Sequence, residues 1–404
     1  MRAGVLAQSW RRHAADDGTG LCARLEAGVK LHVFQDWVCD EFFASLGEHR
    51  RIVVACPTGS GKTVIAMHGI LRYLPAPVLW VTHRRELLKQ AERHKMPVNV
   101  QMVGSFSGGD FKSVIIDEGH HCSAAQYQQI FRALPKAIVV ALTATPYRLD
   151  GVGLGSCGFT KIINGPDTLE LTKLRVLCPA VTFVPGSEST SSWVAHDCAK
   201  LIAARRFKKA IVYCRTVEDA VKTSSELIRI GVRSSVIHGE TKEQHREDIE
   251  ESFRNGKTKV LCNHTIFTEG YDLPEVDMIV LNRHTQSRCL WKQMTGRGLR
   301  RSHGKTRCII LDLAGNGVTH GSIYDREIYG LDGSVEKVEQ RELPESSERD
   351  ESEYEYNAAE KLKLWKPQPR PISIIESLHR LKSRSPLLKL MTALYVSPKL
   401  KRSL

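Results

Sequence analysis

Nine residues constrain this chain more than any others: Ala-Cys-Pro-Thr-Gly-Ser-Gly-Lys-Thr at 55–63. They match the phosphate-loop pattern G-x-x-x-x-G-K-S/T with one departure, Cys56 in place of the first glycine. The run Arg51-Ile-Val-Val-Ala55 before them is β-branched and predicts a buried parallel strand. The run that starts at Thr63 and continues Val-Ile-Ala-Met-His predicts a helix. A strand, a glycine-rich turn and a helix start point several backbone N–H groups at one spot, which suits a polyphosphate. On this reading the backbone of Thr58, Gly59, Ser60 and Gly61 cradles the phosphates, Lys62 reaches the β- and γ-phosphates, and the Thr63 hydroxyl sits on Mg2+.

A chain of 404 residues is too long for one core, so two domains plus extensions are expected. The net charge of +13 favours a polyanionic partner. No apolar run approaches the roughly 20 residues of a membrane span, so no membrane partner is expected. The first residues, from Met1 to Arg12, do not read as a signal peptide. Eleven cysteines lie scattered with no C-x-x-C, which points to a reducing, cytoplasmic setting and away from a zinc site. The cluster His120-His121-Cys122 reads as part of a catalytic or structural loop, since adjacent side chains diverge.

Residues 1–27 form an N-terminal extension without an assigned role. The first domain is expected over 28–184. Gln35, upstream of the loop, has two readings: a side chain that reads the adenine edge, or a surface helical glutamine. Pro77–Thr82 predicts a strand and His83 opens a helix. Arg84 and Arg85 at that turn either contact nucleic-acid phosphates or form a solvated helix start. Val98–Val103 predicts a third strand. Ser113–Ile116 predicts another, ending in two carboxylates. Asp117 at the strand tip holds Mg2+, directly or through water, and Glu118 orients and deprotonates an attacking water. The strand Ala137–Leu142 ends in Thr143-Ala-Thr-Pro, whose hydroxyls can bond the acidic site and relay its state to a neighbouring domain. Gly151–Gly155 reads as a flexible exit loop.

A serine-rich linker is expected over 185–192 and a second domain over 193–330. There, strands at 209–214, 234–240 and 258–262 alternate with helices at 194–205, 216–228 and 241–253, which implies a second doubly wound sheet. This half has no phosphate loop, but it can supply cations. Arg297 and Arg300 are three apart, share a face if helical, and can point across a cleft at the γ-phosphate. Such an arginine finger is worth about 10³–10⁵ in rate. Residues 331–404 form an acidic linker and a basic tail. Residues 336–355 carry nine acids against three bases, and 361–404 eleven Lys or Arg against Glu376. The tail, with Trp365, His379 and Tyr395, either grips phosphates and stacks bases or docks on the body.

Taken in order, Cys-Pro-Thr-Gly-Ser-Gly-Lys-Thr, Asp-Glu-Gly-His and Leu-Thr-Ala-Thr-Pro resemble motifs I, II and III of superfamily 2 helicases. Thr82–Leu87 resembles motif Ia, Thr265–Val276 motif V, and Gln293-Met-Thr-Gly-Arg-Gly-Leu-Arg300 motif VI in its Q-x-x-G-R-x-x-R form. The resemblance covers about residues 28–320 and is nearest the DNA-directed branch related to XPB, UvsW, restriction-enzyme motor subunits and phage-encoded helicases. It implies an α/β chain of two tandem RecA-like doubly wound parallel-sheet domains with a charged C-terminal extension. It further implies ATP and Mg2+ at the domain interface and a nucleic-acid partner, DNA favoured and RNA allowed. Asp272 would contact the nucleotide or couple it to the strand track. The implied activity is that of an ATP-dependent helicase or translocase, the alternative being a nucleotide-gated clamp with little productive hydrolysis. Two departures stand out. Gly119 replaces the usual alanine, which removes one methyl and leaves the carboxylates in place. Only 34 residues separate Thr82 from Asp117, where the family places an extra strand and a nucleic-acid-contacting loop; this motivates the clamp.

Overall fold

The apolar runs of the first half assemble into one parallel sheet in the computed structural model, which describes residues 30–82, 88, 98–148, 151–185, 194–264, 273–338 and 365–367. The strands are β1 (Arg51–Ala55), β2 (Val78–Thr82), β3 (Asn99–Met102), β4 (Ser113–Asp117), β5 (Ile138–Thr143) and β6 (Lys161–Asn164). Their spatial order is β3-β2-β4-β5-β1-β6. Strands β2 and β5 are buried along their whole length, as parallel strands covered on both faces must be. Helices α1 (Val33–Ser45), α2 (Lys62–His68), α3 (Ala125–Ala133) and α4 (Thr168–Lys173) flank the sheet. Successive strand residues face opposite ways. Ile52 and Val54 therefore join Phe34, Val38 and Phe42 of α1 in one cluster, while Val53 joins Tyr127, Ile130 and Phe131 of α3 in another.

The second sheet contains β7 (Ala180–Pro185), β8 (Ala210–Cys214), β9 (Ser234–Ile237), β10 (Val260–Asn263), β11 (Met278–Asn282) and β12 (Cys308–Asp312). Its helices are α5 (Ala195–Ala203), α6 (Val217–Arg229), α7 (Glu243–Arg254), α8 (Arg288–Gly296) and α9 (Asn316–His320). An antiparallel hairpin follows, β13 (Arg326–Tyr329) with β14 (Val335–Val338). A last strand, β15 (Trp365–Pro367), pairs antiparallel with β7 and completes the order β15-β7-β12-β11-β8-β10-β9. The chain is thus a pair of doubly wound, RecA-like α/β units.

Two expectations are corrected here, the domain boundary and the unstructured start of the acidic stretch, and one of the two readings of the tail is met over three residues. Strand β7 lies within the segment assigned to the first domain, yet it pairs parallel with β12 in the second sheet, Val181 opposite Ile309. The chain leaves the first sheet after Asn164 and enters the second at Ala180, ahead of the serine-rich stretch, whose residues 186–193 lie outside the described residues. The acidic stretch from 336 begins as strand, because Glu336 and Lys337 pair with Ile328 and Glu327. Within the basic tail, Trp365–Pro367 docks on the body as an edge strand.

One apolar cluster runs through both halves, from Phe34, Ile52 and Trp80 through Leu177 to Tyr213, Leu281 and Trp291. Among the described residues no helix is long and apolar enough to cross a membrane.

Candidate nucleotide site between the two sheets

The loop that follows β1 owes its shape to two glycines. Gly59 and Gly61 have φ of +87° and +82°, conformations that strain any L side chain. Space forbids a side chain as well: a Cβ on Gly61 would lie 2.8 Å from Gln35 Nε2, and one on Gly59 2.9 Å from Leu177. Gln35 is therefore not a surface residue. It is buried in the first turn of α1, accepts from His32 N at 3.0 Å and donates through Nε2 to Ser60 O at 3.1 Å. Lys62 opens α2, and its Nζ donates to the carbonyls of Cys56 and Pro57 at 3.2 and 3.4 Å. Thr63 follows, half-buried. The Cys56 departure has a steric partner: a Cβ on Gly165 would sit 2.4 Å from Cys56 Sγ, so the side chain at 56 occupies room that Gly165 leaves. Burial pushes the Cys56 thiol up to about 11, against the pull of the Lys62 cation.

Strand β4 carries Asp117 at its tip. The next residue, Glu118, is held in a left-handed conformation, φ +53° and ψ +58°. For a residue with a Cβ this is a strained backbone, of the kind that persists where the surroundings over-determine it. Gly119 is buried, and a Cβ there would lie 2.7 Å from the Cβ of Ala141 on β5, so Ala141 fills the place of the missing methyl. His120 is buried beside it. Thr143 Oγ1 donates to Thr145 O at 2.9 Å and accepts from Thr145 N at 3.1 Å. Its remaining lone pair accepts from His120 Nδ1 at 3.2 Å. That assigns the ring proton to Nδ1, on the side where Glu118 Oε2 lies at 3.7 Å, and leaves the Nε2 lone pair facing Gln293 Nε2 at 3.5 Å.

Gln293 belongs to α8, capped by Ser287, whose Oγ accepts from Leu290 N. The helix ends at Gly296 with Arg297 as its C-cap, and Arg300 lies beyond, bridged to Leu177. The two arginines are therefore not three apart on one helix face. Gly298 lies in the turn that follows, packed so closely that a Cβ would meet Cys308 Sγ at 2.3 Å. Arg297 and Arg300 still share a neighbourhood. Burial raises the Tyr213 phenol, and both cations pull it back.

The two units meet at this point. A Cβ on Gly296 would lie 2.7 Å from Cβ of Thr58, and one on Gly59 3.3 Å from Cγ of Arg300. The phosphate loop thus rests on the end of α8. A second link joins Thr145 Oγ1 to Cys289 Sγ at 2.7 Å. The structure brings together Gln35, Thr58, Gly59, Ser60, Gly61 and Lys62 with Arg297 and Arg300. Glu118 is linked to α8 through His120, which lies 3.7 Å from its carboxylate and 3.5 Å from Gln293 Nε2. Asp272, Arg84 and Arg85 lie outside the described residues.

Sequence reading missed one cluster beside the loop. A cavity of about 30 Å³ is bounded by Cys56, Pro57, Lys292, Asp325, Glu327 and Tyr329. That volume holds a water, not a nucleotide. No local pattern announces this cluster, because its charges come from segments more than 30 residues apart.

A glycine-shaped loop after a parallel strand, packed on the end of α8 and on the Arg300 side chain of a second parallel unit, defines a tandem RecA-like nucleotide-binding protein. Residues 28–106 and 97–148 match the family "Type III restriction enzyme, res subunit", and 193–302 match "Helicase conserved C-terminal domain". The chain belongs to the superfamily 2 helicases. It is 30% identical over 351 residues to the "Putative mitochondrial ATP-dependent helicase irc3" of Schizosaccharomyces pombe, covering 70% of this chain and 57% of that one. It is 27% identical over 305 residues to the "51.5 kDa protein" of a Lactococcus phage, covering 67% of each. The chain thus spans between about half and two thirds of these curated relatives. In fold it is similar to a "putative HsdR subunit of a type I restriction enzyme" from Vibrio vulnificus, with TM-score 0.59, 21% identity, and coverage of 80% and 70%. It is also similar to the DNA-bound Type ISP restriction-modification enzyme LlaBIII, with TM-score 0.54, 16% identity, and coverage of 70% and 28%.

Proposed function

We propose that this protein is a DNA-directed, ATP-driven helicase or translocase that hydrolyses Mg·ATP between its two units. The observation that carries the reading is the seating of the phosphate loop on α8, Thr58 against Gly296 and Gly59 against Arg300. That contact sets first-unit phosphate binders beside second-unit arginines.

The residues fit the ligands. Ser60 Oγ is buried in the loop without a protein partner, an atom that a phosphate oxygen would satisfy. The Thr63 hydroxyl and the Asp117 carboxylate are hard oxygen donors of the kind Mg2+ selects. When bound there, Mg2+ would supply positive charge at the β- and γ-phosphate oxygens. Lys62 exchanges its two loop carbonyls for phosphate oxygens. Glu118 takes the proton of the attacking water. Arg297 and Arg300 neutralise the charge that develops on the transferred group. Gln35 would read the adenine edge once its amide turns from His32 and Ser60 to the base, and Asp272 would contact the nucleotide or couple it to the strand track. The Thr145–Cys289 contact in the first turn of α8 and the His120–Gln293 contact in its later half would couple the helix to the state of the acidic site.

The net charge of +13 suits a nucleic-acid track. DNA is favoured by the restriction-enzyme family match and by the DNA-bound LlaBIII neighbour, against an RNA-bound Dbp5 of comparable likeness. The test is ATP turnover against added single-stranded DNA, duplex DNA and RNA at two salt concentrations, since phosphate contacts release counterions. Strong DNA stimulation that weakens with salt is the expected result. Tight binding with flat, low turnover would replace the motor by the nucleotide-gated clamp. A triplex-displacement assay distinguishes movement on duplex from strand separation.

A further inference from the structure

The hairpin β13–β14 comes after the last parallel strand of the second sheet, yet it bonds to both units. Side chains two apart on a strand share a face, which places Glu327 and Tyr329 together. Residues four apart share a helix face, which places Arg288 and Lys292 together on α8. The two pairs meet. Glu327 is ion-paired to Arg288 through one oxygen and to Lys292 through the other. Tyr329 OH donates to Glu327 at 2.9 Å, and Lys292 Nζ lies 2.9 Å from the same hydroxyl. The Glu327 side chain is 1% exposed, so this is a buried carboxylate held between the Arg288 guanidinium and the Lys292 amine.

The same strand is fastened to the first unit by its backbone. Asn164 Nδ2 donates to Tyr329 O at 3.1 Å and Tyr329 N donates to Asn164 Oδ1 at 3.0 Å. Asn164 ends β6 and stands opposite Ala55, the last residue before the phosphate loop. The turn of the hairpin is seated as well. Gly155 N donates to Leu331 O at 2.8 Å and Gly153 N to Asp332 O at 3.3 Å. A Cβ on Gly153 would come within 2.2 Å of Leu331 O. The Gly151–Gly155 segment, read from sequence as a flexible exit loop, is the socket for this turn.

We infer that the β13–β14 hairpin is a tie across the nucleotide cleft and that Glu327 is a positioning residue. It acts through Arg288 and Lys292 to hold α8, and with it Gln293 and Arg297, at a set distance from the strand that feeds the phosphate loop. Asn164 holds Tyr329 and Glu327 holds α8, with Ile328 alone between them on β13, while Gly153 and Gly155 hold the turn of the same hairpin to the first unit. The inference rests on the ATP-turnover reading above for its kinetic test only.

That test compares Asn164→Ala, Glu327→Gln and the double variant in full-length protein at saturating DNA. Each single change lowers kcat by about tenfold and leaves KM for ATP within about twofold, as expected when a transition-state contact is misplaced and binding is spared. The double variant is no slower than Glu327→Gln alone, because a hairpin released from α8 no longer restrains it through Asn164. A double variant about a hundredfold slower, unchanged kcat, or a rise in KM alone would each overturn the tie. Hydrogen exchange of amides 288–296 without nucleotide supplies a second reading. It speeds up by about tenfold in Asn164→Ala if the hairpin restrains α8 from the first unit, and unchanged exchange overturns the inference. This readout needs no ATPase and no Glu327 variant. A wild-type chain without turnover would therefore sink the functional reading while exchange still decides the tie.

Discussion

The ring of His120, two residues beyond the acidic Glu118 of the first unit, turns its Nε2 lone pair to the amide of Gln293 on α8 at 3.5 Å. The bond crosses the cleft, and its direction is set by a threonine: because Thr143 spends its hydroxyl proton on Thr145 O, it can only accept from His120 Nδ1. Replacing Gln293 by leucine keeps the bulk and removes the donor. ATP turnover is expected to fall by about tenfold, the scale of one lost hydrogen bond to a reacting assembly, with KM for ATP little changed. Steady-state kinetics check this, and a change confined to KM would contradict it.

The phosphate-loop and acidic residues give the plainest loss of activity. Lys62→Ala and Glu118→Gln are expected to abolish hydrolysis, read as phosphate release above a no-enzyme control. Arg297→Ala is expected to slow kcat by about 10³ while ATP binding, followed with a fluorescent nucleotide, weakens far less. Near wild-type turnover in Lys62→Ala or Glu118→Gln would sink the motor.

Gly119 and Ala141 divide one methyl's worth of space between them. Gly119→Ala drives a Cβ to 2.7 Å from Ala141 Cβ. Overpacking of this kind costs about 1–3 kcal/mol. The double change Gly119→Ala with Ala141→Gly recovers most of that loss. Denaturant melts of the three proteins settle the point, since two unrelated defects would add instead.

Lys292 provides a pH signature. Burial, helped by the Arg288 cation, drives its ammonium down to about 7, against the pull of Asp325, Cys289 and Asp167. In that range the folded chain releases a proton that the unfolded chain keeps to much higher pH. The cost of the buried charge is complete below pH 7 and is relieved as pH rises from there toward the ordinary lysine value. Stability is therefore expected to rise between pH 7 and roughly 9. Lys292→Met, which leaves Glu327 paired with Arg288, flattens that rise. Thermal melts of both proteins across the window test the sign.

Residues whose chemistry demands adjacency were legible in the chain. Lys62-Thr63 and Asp117-Glu118 each follow a β-branched run, and the run itself forecasts the strand that delivers them. Pairings made at a distance were not legible. Lys161–Asn164 shows only two isoleucines, and nothing local says that it closes the edge beside β1. Ala180–Pro185 reads as a poor strand until β12 is seen to need a neighbour. The spacing of Arg297 and Arg300 put them on one face only if that segment were helical, and α8 ends at Gly296. The burial of Gln35 depends on Ser60, 25 residues away, and so no periodicity could report it.

The position of β7 bears on how this protein can be taken apart. The obvious place to divide it is the serine-rich stretch after Pro185, and a cut there would leave β7 attached to the wrong half. The N-terminal piece would trail a strand whose N–H and C=O groups have lost β12, and the C-terminal piece would expose β12 as a raw edge. Unpaired edges of that kind recruit other chains, and both fragments would be prone to self-association. A division between Asn164 and Ala180 leaves each sheet with all of its parallel strands.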